Sequence, residues 1–194
     1  MQDIIGKIVK ELEKAQATVA VAESCTGGMV SASLVDYPGV SACFKEGYVT
    51  YSNEAKEKNL GVLHTTLEAY GAVSRQTAEQ MAEGVRKRAG ATYGLATTGI
   101  AGPDGGTEDK PVGLVYIACA GSKKTLVKEC HFSGGRQCVR RQATEMVLQL
   151  LLTCIKELNC LDESDFRYEK TFAVTYGIRH AYQTNPGPHQ RDPF

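Results

Sequence analysis

What this chain lacks narrows its function before any motif is considered. Its 22 basic and 22 acidic side chains cancel to a formal net charge of zero, so there is no basic field to collect the phosphates of a general nucleic-acid ligand. No apolar run approaches the roughly 18–20 residues needed to cross a bilayer. The N-terminal MQDIIGKIVKELEKAQ alternates charged and apolar residues at helical spacing and lacks the apolar core of a signal peptide. The seven cysteines, at 25, 43, 119, 130, 138, 154 and 160, are odd in number, scattered and without a C-x-x-C pair. That argues against a disulfide framework and a zinc site, and for buried thiols in a reducing compartment. These absences point to a cytoplasmic protein with no membrane and no nucleic-acid partner. At 194 residues, 42% hydrophobic and 23% charged, the chain is long enough for one well-buried domain and short for two.

What is present is organised around Thr18–Met29, TVAVAESCTGGM. Val19, Val21 and Ala22 form a short apolar run that predicts a buried strand, and MVSASLV from Met29 has helical spacing. Between them lie Glu23, Ser24, Cys25, Thr26, Gly27 and Gly28. A hydroxyl at such a strand-to-helix turn sits beside unpaired backbone N–H groups at the positive end of a helix. The turn can activate a nucleophile, cradle a phosphate or cap the helix.

The rest of the chain predicts an alternation of elements. Ile4, Ile5, Ile8, Val9 and Leu12 share one face of a first helix. Residues 44–51, FKEGYVTY, are rich in strand formers and run into a helix capped by Ser52 or Asn53. Ser74 caps a long helix that stops at Gly90, and 93–98, YGLATT, form a third buried strand emptying into Gly99–Gly106. Residues 112–120 and 125–132 predict a hairpin across Gly121–Lys124, followed by a helix over about 136–158. The predicted fold is a three-layer α/β/α sandwich on a mixed, mostly parallel sheet of about five strands with one antiparallel hairpin. Sites on such sheets form at the carboxyl ends of strands. Domain organisation is expected as 1–160, a single catalytic-type domain, and 161–194, an extension with an alternating stretch at 171–178 and a polar, proline-bearing tail.

Ser24 is either a helix N-cap or a nucleophile. It matches neither G-x-S-x-G nor S-x-x-K, and His64, His131, His180 and His189 stand in no triad context. A histidine-dependent serine hydrolase is therefore disfavoured. Lys56 remains as a general base if burial lowers its pKa, and Tyr51, five residues earlier, can relay a proton. Cys25, beside the predicted helix start, is a thiol whose pKa that position would lower. Gly99 and Gly102 after a buried strand permit close backbone approach to a ligand. Of Arg136, Arg140 and Arg141, the latter two cannot both face inward, and one is available for a phosphate or carboxylate.

The motifs AESCTGG (22–28), GYVTYSNEAK (47–56), GAVS (71–74), TTGIAGPDGGT (97–107), KPVG (110–113) and FSGGRQCVRRQA (132–143) resemble, in order, the CinA C-terminal domain family. Stand-alone members of that family are nicotinamide-nucleotide amidases, and the likeness spans about residues 3–158. The resemblance implies a metal-independent amidohydrolase without a cofactor. Its substrate is nicotinamide mononucleotide, converted with water to nicotinate mononucleotide and ammonia. It also implies a homodimer and a catalytic group of Ser24, Lys56 and Tyr51. Glu23, Thr26, Gly27, Gly28, Thr98, Gly99, Ile100, Ala101, Gly102, Pro103 and Arg140 are expected around the substrate, with N–H groups near Thr26–Gly28 stabilising an oxyanion. The domain that precedes this one in full-length CinA proteins is not in the chain, so its activity is not carried over. A non-catalytic pyridine-nucleotide sensor, or a competence-associated binding protein, is the alternative.

Overall fold

The computed structural model describes residues 1–159. The expected strand at 171–178 and the tail beyond it lie outside the described residues. In chain order the elements are α1 (Gln2–Lys14), β1 (Val19–Glu23), α2 (Met29–Val35), β2 (Phe44–Val49), α3 (Asn53–Leu60), α4 (His64–Tyr70), α5 (Arg75–Ala89), β3 (Tyr93–Gly99), β4 (Leu114–Ala120), β5 (Thr125–His131) and α6 (Arg136–Asn159). A single 3₁₀ turn, Val40–Ala42, leads into β2. No helix among the described residues is long and apolar enough to cross a membrane.

The five strands form one sheet in the order β2-β1-β3-β4-β5. β1 pairs in parallel with β2 and β3, whereas the β3–β4 and β4–β5 ladders are antiparallel. The expected hairpin is present. The 100–113 loop also returns β4 antiparallel to β3, so two of four ladders are antiparallel while four of five strands share a direction. α1, α2 and α6 associate on one face, and α5 with α3 and α4 covers the other.

Local chemistry accounts for these boundaries. β1 is buried along its whole length because both its faces carry helices, which is why it is apolar without alternation. Val19 and Val21 point to the α6 side, and Ala20 and Ala22 to the α5 side with Met81, Ala82 and Val85. α5 packs directly onto β3 because Gly94 has no side chain; a Cβ there would lie 2.1 Å from the Ala82 carbonyl oxygen. Ser52 caps α3 by accepting the Ala55 N–H at 3.2 Å, and Ser74 caps α5 by accepting the Thr77 N–H at 3.2 Å. α1 buries Ile5, Ile8 and Leu12 completely, each worth about 1.5–3 kcal/mol of transfer free energy.

This topology places the site. β1 connects outward through α2 to β2, while β2 returns across β1 through α3, α4 and α5 to β3. The crevice beyond the carboxyl ends of β1 and β3 is thus the switch point of the sheet. The 24–28 turn, residues 50–56 and the 99–106 loop all open onto that end.

Candidate active site

The turn after β1 is held by its own carboxylate. Glu23, fully buried, accepts the backbone N–H groups of Gly28 at 2.9 Å, Val30 at 3.0 Å and Ser31 at 2.8 Å, and the Ser31 hydroxyl at 2.7 Å. A charged acceptor at the helix start neutralises both the orphan donors and the dipole. Gly28, the N-cap residue, has φ of 94°, a conformation that glycine adopts without strain. Two expectations change as a result. Ser24 does not cap α2, because Glu23 does. Glu23 in turn has no oxygen left for a substrate, and the α2 start is no phosphate cradle because it is already filled.

Released from capping, Ser24 meets Lys56. The Lys56 ammonium lies 3.2 Å from Ser24 Oγ, 2.9 Å from the Thr50 carbonyl oxygen and 3.3 Å from the Tyr51 carbonyl oxygen. It is 1% exposed. Burial pushes its pKa below the ordinary lysine value against the opposing pull of Cys25 and Glu54. A neutral amine has two hydrogens and one lone pair. With the hydrogens on the two carbonyls, the lone pair faces the Ser24 hydroxyl, as proton abstraction requires. Those carbonyls are available because β2 ends at Val49, two residues before the expected boundary.

The other expected residues divide into those that border the crevice and those used to build it. Thr26 Oγ1 bonds Thr97 Oγ1 at 2.7 Å, tying the turn to β3. Thr97, fully buried, was not singled out by sequence reasoning; its place opposite Glu23 in the β1–β3 register is the signal that locates it. Thr98, expected near substrate, donates instead to the Ala72 carbonyl at 2.7 Å on the other face of the sheet. Gly27 N–H donates to the Ser24 carbonyl at 3.1 Å and Gly28 N–H to Glu23, so neither is free for an oxyanion. The Thr26 N–H makes no hydrogen bond among the described residues. Ala101 and Gly102 are buried, Gly99 and Ile100 partly so, and Pro103 is exposed after a cis Gly102–Pro103 peptide.

Arg140 reaches the turn, its Nε and Nη2 donating to the Thr26 carbonyl at 3.2 and 2.6 Å. Arg136, four residues earlier, donates from Nη1 to the Gly102 carbonyl at 2.9 Å and from Nη2 to the Tyr51 hydroxyl at 3.2 Å. The Tyr51 side chain is 62% exposed, and its hydroxyl makes no bond to Ser24 or Lys56 among the described residues. Arg141 is exposed. Cys25 departs from expectation: burial pushes its thiol up to about 11, away from activation. No group of three His, Cys, Asp or Glu side chains among the described residues is placed to hold a metal ion.

Comparison with known proteins agrees with this fold. Residues 1–155 match the CinA C-terminal domain. A competence-damage inducible protein of Clostridioides difficile is 52% identical over 158 residues, covering 81% of this chain and 37% of that protein. One from Acetivibrio thermocellus is 62% identical over 123 residues, 63% of this chain and 30% of its own. The chain thus spans about a third of the length of these curated relatives. The crystal structure of a competence/damage inducible protein from Agrobacterium tumefaciens superposes with a TM-score of 0.77 at 39% identity, covering 80% of this chain and 94% of that one. A CinA superfamily protein from Escherichia coli gives 0.76 at 33% identity, over 78% and 89% of the two chains. With its family model matched over most of its length and its sheet shared with these structures, the chain belongs to the CinA C-terminal domain family.

Proposed function

We propose that this protein is a nicotinamide mononucleotide amidohydrolase that works through a serine ester. The observation that carries the reading is the buried Lys56 amine 3.2 Å from Ser24 Oγ, its pKa lowered by burial. A nucleophile and a base within hydrogen-bond reach, the base oriented by third groups, is the arrangement that acyl transfer needs. The substrate class comes from the family resemblance of the motifs around these residues.

In this mechanism Lys56 removes the Ser24 proton as Oγ attacks the carboxamide carbon. The cationic pyridinium ring draws electrons from that carbon and assists the attack. The oxyanion is stabilised by the Cys25 and Thr26 N–H groups, the turn donors that bond no other residue among the described residues. Ammonia leaves after protonation, and a water, deprotonated by Lys56, hydrolyses the nicotinoyl–Ser24 ester. The ribose phosphate lies against the Gly99–Pro103 main chain and the cationic start of α6. There Arg141 is exposed, and Arg140 keeps Nη1 beyond its two bonds to Thr26. The working species in this reading is a cytoplasmic homodimer.

The test is ammonia release from nicotinamide mononucleotide, with EDTA present, by the wild type and by Ser24→Ala. Turnover that falls by at least about 10³-fold in Ser24→Ala is expected for a lost nucleophile. Equal rates would mean another nucleophile. Binding of the nucleotide by wild type without ammonia release would replace the amidase with a sensor.

A further inference from the structure

Arg136 has no assigned part in the reaction, yet it spans the mouth of the crevice. It is the first residue of α6. Its two terminal nitrogens bond groups that follow two different strands: the Gly102 carbonyl after β3 and the Tyr51 hydroxyl after β2. The guanidinium is planar, so fixing Nη1 on a backbone carbonyl also fixes the direction of Nη2. Tyr51 has no comparable anchor of its own. Its ring is more than half exposed, and an exposed side chain changes rotamer within nanoseconds.

We propose that Arg136 is a positioning residue that makes Tyr51 a proton donor; the proposal rests on the amidase reading of the site. An arginine has five donors and no acceptor. When Nη2 donates to the phenol oxygen, the phenol hydrogen cannot return to arginine and is left for another acceptor, here the departing nitrogen of the substrate. Lys56 is biased in the opposite sense, because its two carbonyl partners take hydrogens and leave a lone pair. The site therefore holds one group arranged to accept a proton and one arranged to give it.

The proton balance closes. In acylation the Ser24 proton passes to neutral Lys56, the Oγ–carbon bond forms and the carbon–nitrogen bond breaks. The departing nitrogen takes the Tyr51 hydrogen and leaves as ammonia. Lys56 ammonium and Tyr51 phenolate then exchange the proton through solvent, which reaches the exposed ring. Lys56 is neutral again for the attack of water.

A double-mutant cycle on Arg136→Ala and Tyr51→Phe tests this. The readouts are kcat and KM for ammonia release, and acylation by p-nitrophenyl nicotinate, whose leaving group needs no proton. Tyr51→Phe is expected to lower kcat for the amide by about 10²-fold, as for a lost general acid. Arg136→Ala should lower it by about 10- to 100-fold with KM changed less than about 3-fold. The double variant should be no more than about 2-fold slower than Tyr51→Phe alone, because both act through one hydrogen. Ester acylation should fall less than about 3-fold in all three. Arg136→Lys should recover only part of the loss, since an ammonium cannot hold both partners in a fixed fork. Effects that multiply, equal loss on ester and amide, or a rise confined to KM would each overturn the proposal while leaving the amidase intact. A wild type that acylates with the ester but releases no ammonia would remove both.

Discussion

Two helices of this fold begin after a glycine pair, and they begin differently. Gly27-Gly28 leads into α2 and Gly134-Gly135 into α6, with similar left-handed φ values of 94° at Gly28 and 97° at Gly134. At α2 the first N–H groups are consumed by Glu23, a carboxylate supplied from the end of β1. At α6 the first turn contains no acidic residue. It opens on a shallow depression lined by Gly135, Arg136, Gln137, Cys138 and Arg141. The local signal in the sequence is the same, and the chemistry is opposite. One helix start is closed around an internal anion and serves as a rigid mount for Ser24. The other stays open and cationic, and sends two arginines to the crevice. The glycines alone identify neither role; what separates them is one carboxylate six residues before the start of α2.

Removing that carboxylate is the strongest way to break the contrast. Glu23→Ala leaves the N–H groups of Gly28, Val30 and Ser31 without their acceptor in the interior. Stability should fall by roughly 3–5 kcal/mol, the range for uncovering one side of a buried charged network. Urea unfolding measures it, and a loss under about 1 kcal/mol would mean that the two starts are equivalent. On the proposed reading, ammonia release by the remaining folded protein should fall with it, because Ser24 and Glu23 are adjacent on the same turn.

A smaller effect comes from Lys56, the base of the proposed mechanism, whose partner Ser24 takes no part in capping α2. Its folded pKa lies below its unfolded value, so the folded state gives up the proton first as pH rises. Below the folded pKa both states are protonated. Between that value and about 10.5 the unfolded chain binds the extra proton, and stability rises with pH by at most about 1.4 kcal/mol per unit. Lys56→Met lacks this component, so the stability difference, wild type minus variant, should grow across that window. The acid limb of kcat/KM should fall at the same depressed pKa. A limb near the ordinary lysine value would remove Lys56 as the base.

The sequence conveyed the elements well because their signals are local. Ser52, Ser74 and Gly90 mark helix ends by their own chemistry, and the apolar run of β1 reports helices on both faces. The Ser24–Lys56 contact was legible as a pair of candidates and through the family motifs. What the sequence did not convey are long-range partners whose types have several uses. Glu23 next to a serine reads as a substrate contact until its oxygens are found on α2. Thr97 and Thr98 are adjacent and alike, and strand alternation sends one to Thr26 and the other to Ala72. Arg136 and Arg140 lie one helical turn apart, yet they hold different loops. Those choices depend on register between segments, which spacing along one segment does not encode.

The mildest probe of the contrast uses a cysteine at each helix start. Cys25 precedes α2 within the closed turn, and burial raises its thiol to about 11. Cys138 is the third residue of α6 and is exposed. Thiolate is the reactive form, so Cys25 is disfavoured both by its burial and by its raised pKa, while Cys138 is accessible. Limiting maleimide followed by peptide mass mapping should label Cys138 at least about 100-fold faster than Cys25, since raising the Cys25 thiol to about 11 lowers its own thiolate fraction near neutral pH by about two decades. Cys25→Ala should then leave kcat within about 3-fold, because the Ser24–Lys56 contact does not involve the sulfur. Comparable labelling of the two thiols would mean that the α2 turn opens readily in solution. The closed mount and the open cationic rim would then be two states of one kind of helix start rather than two designs.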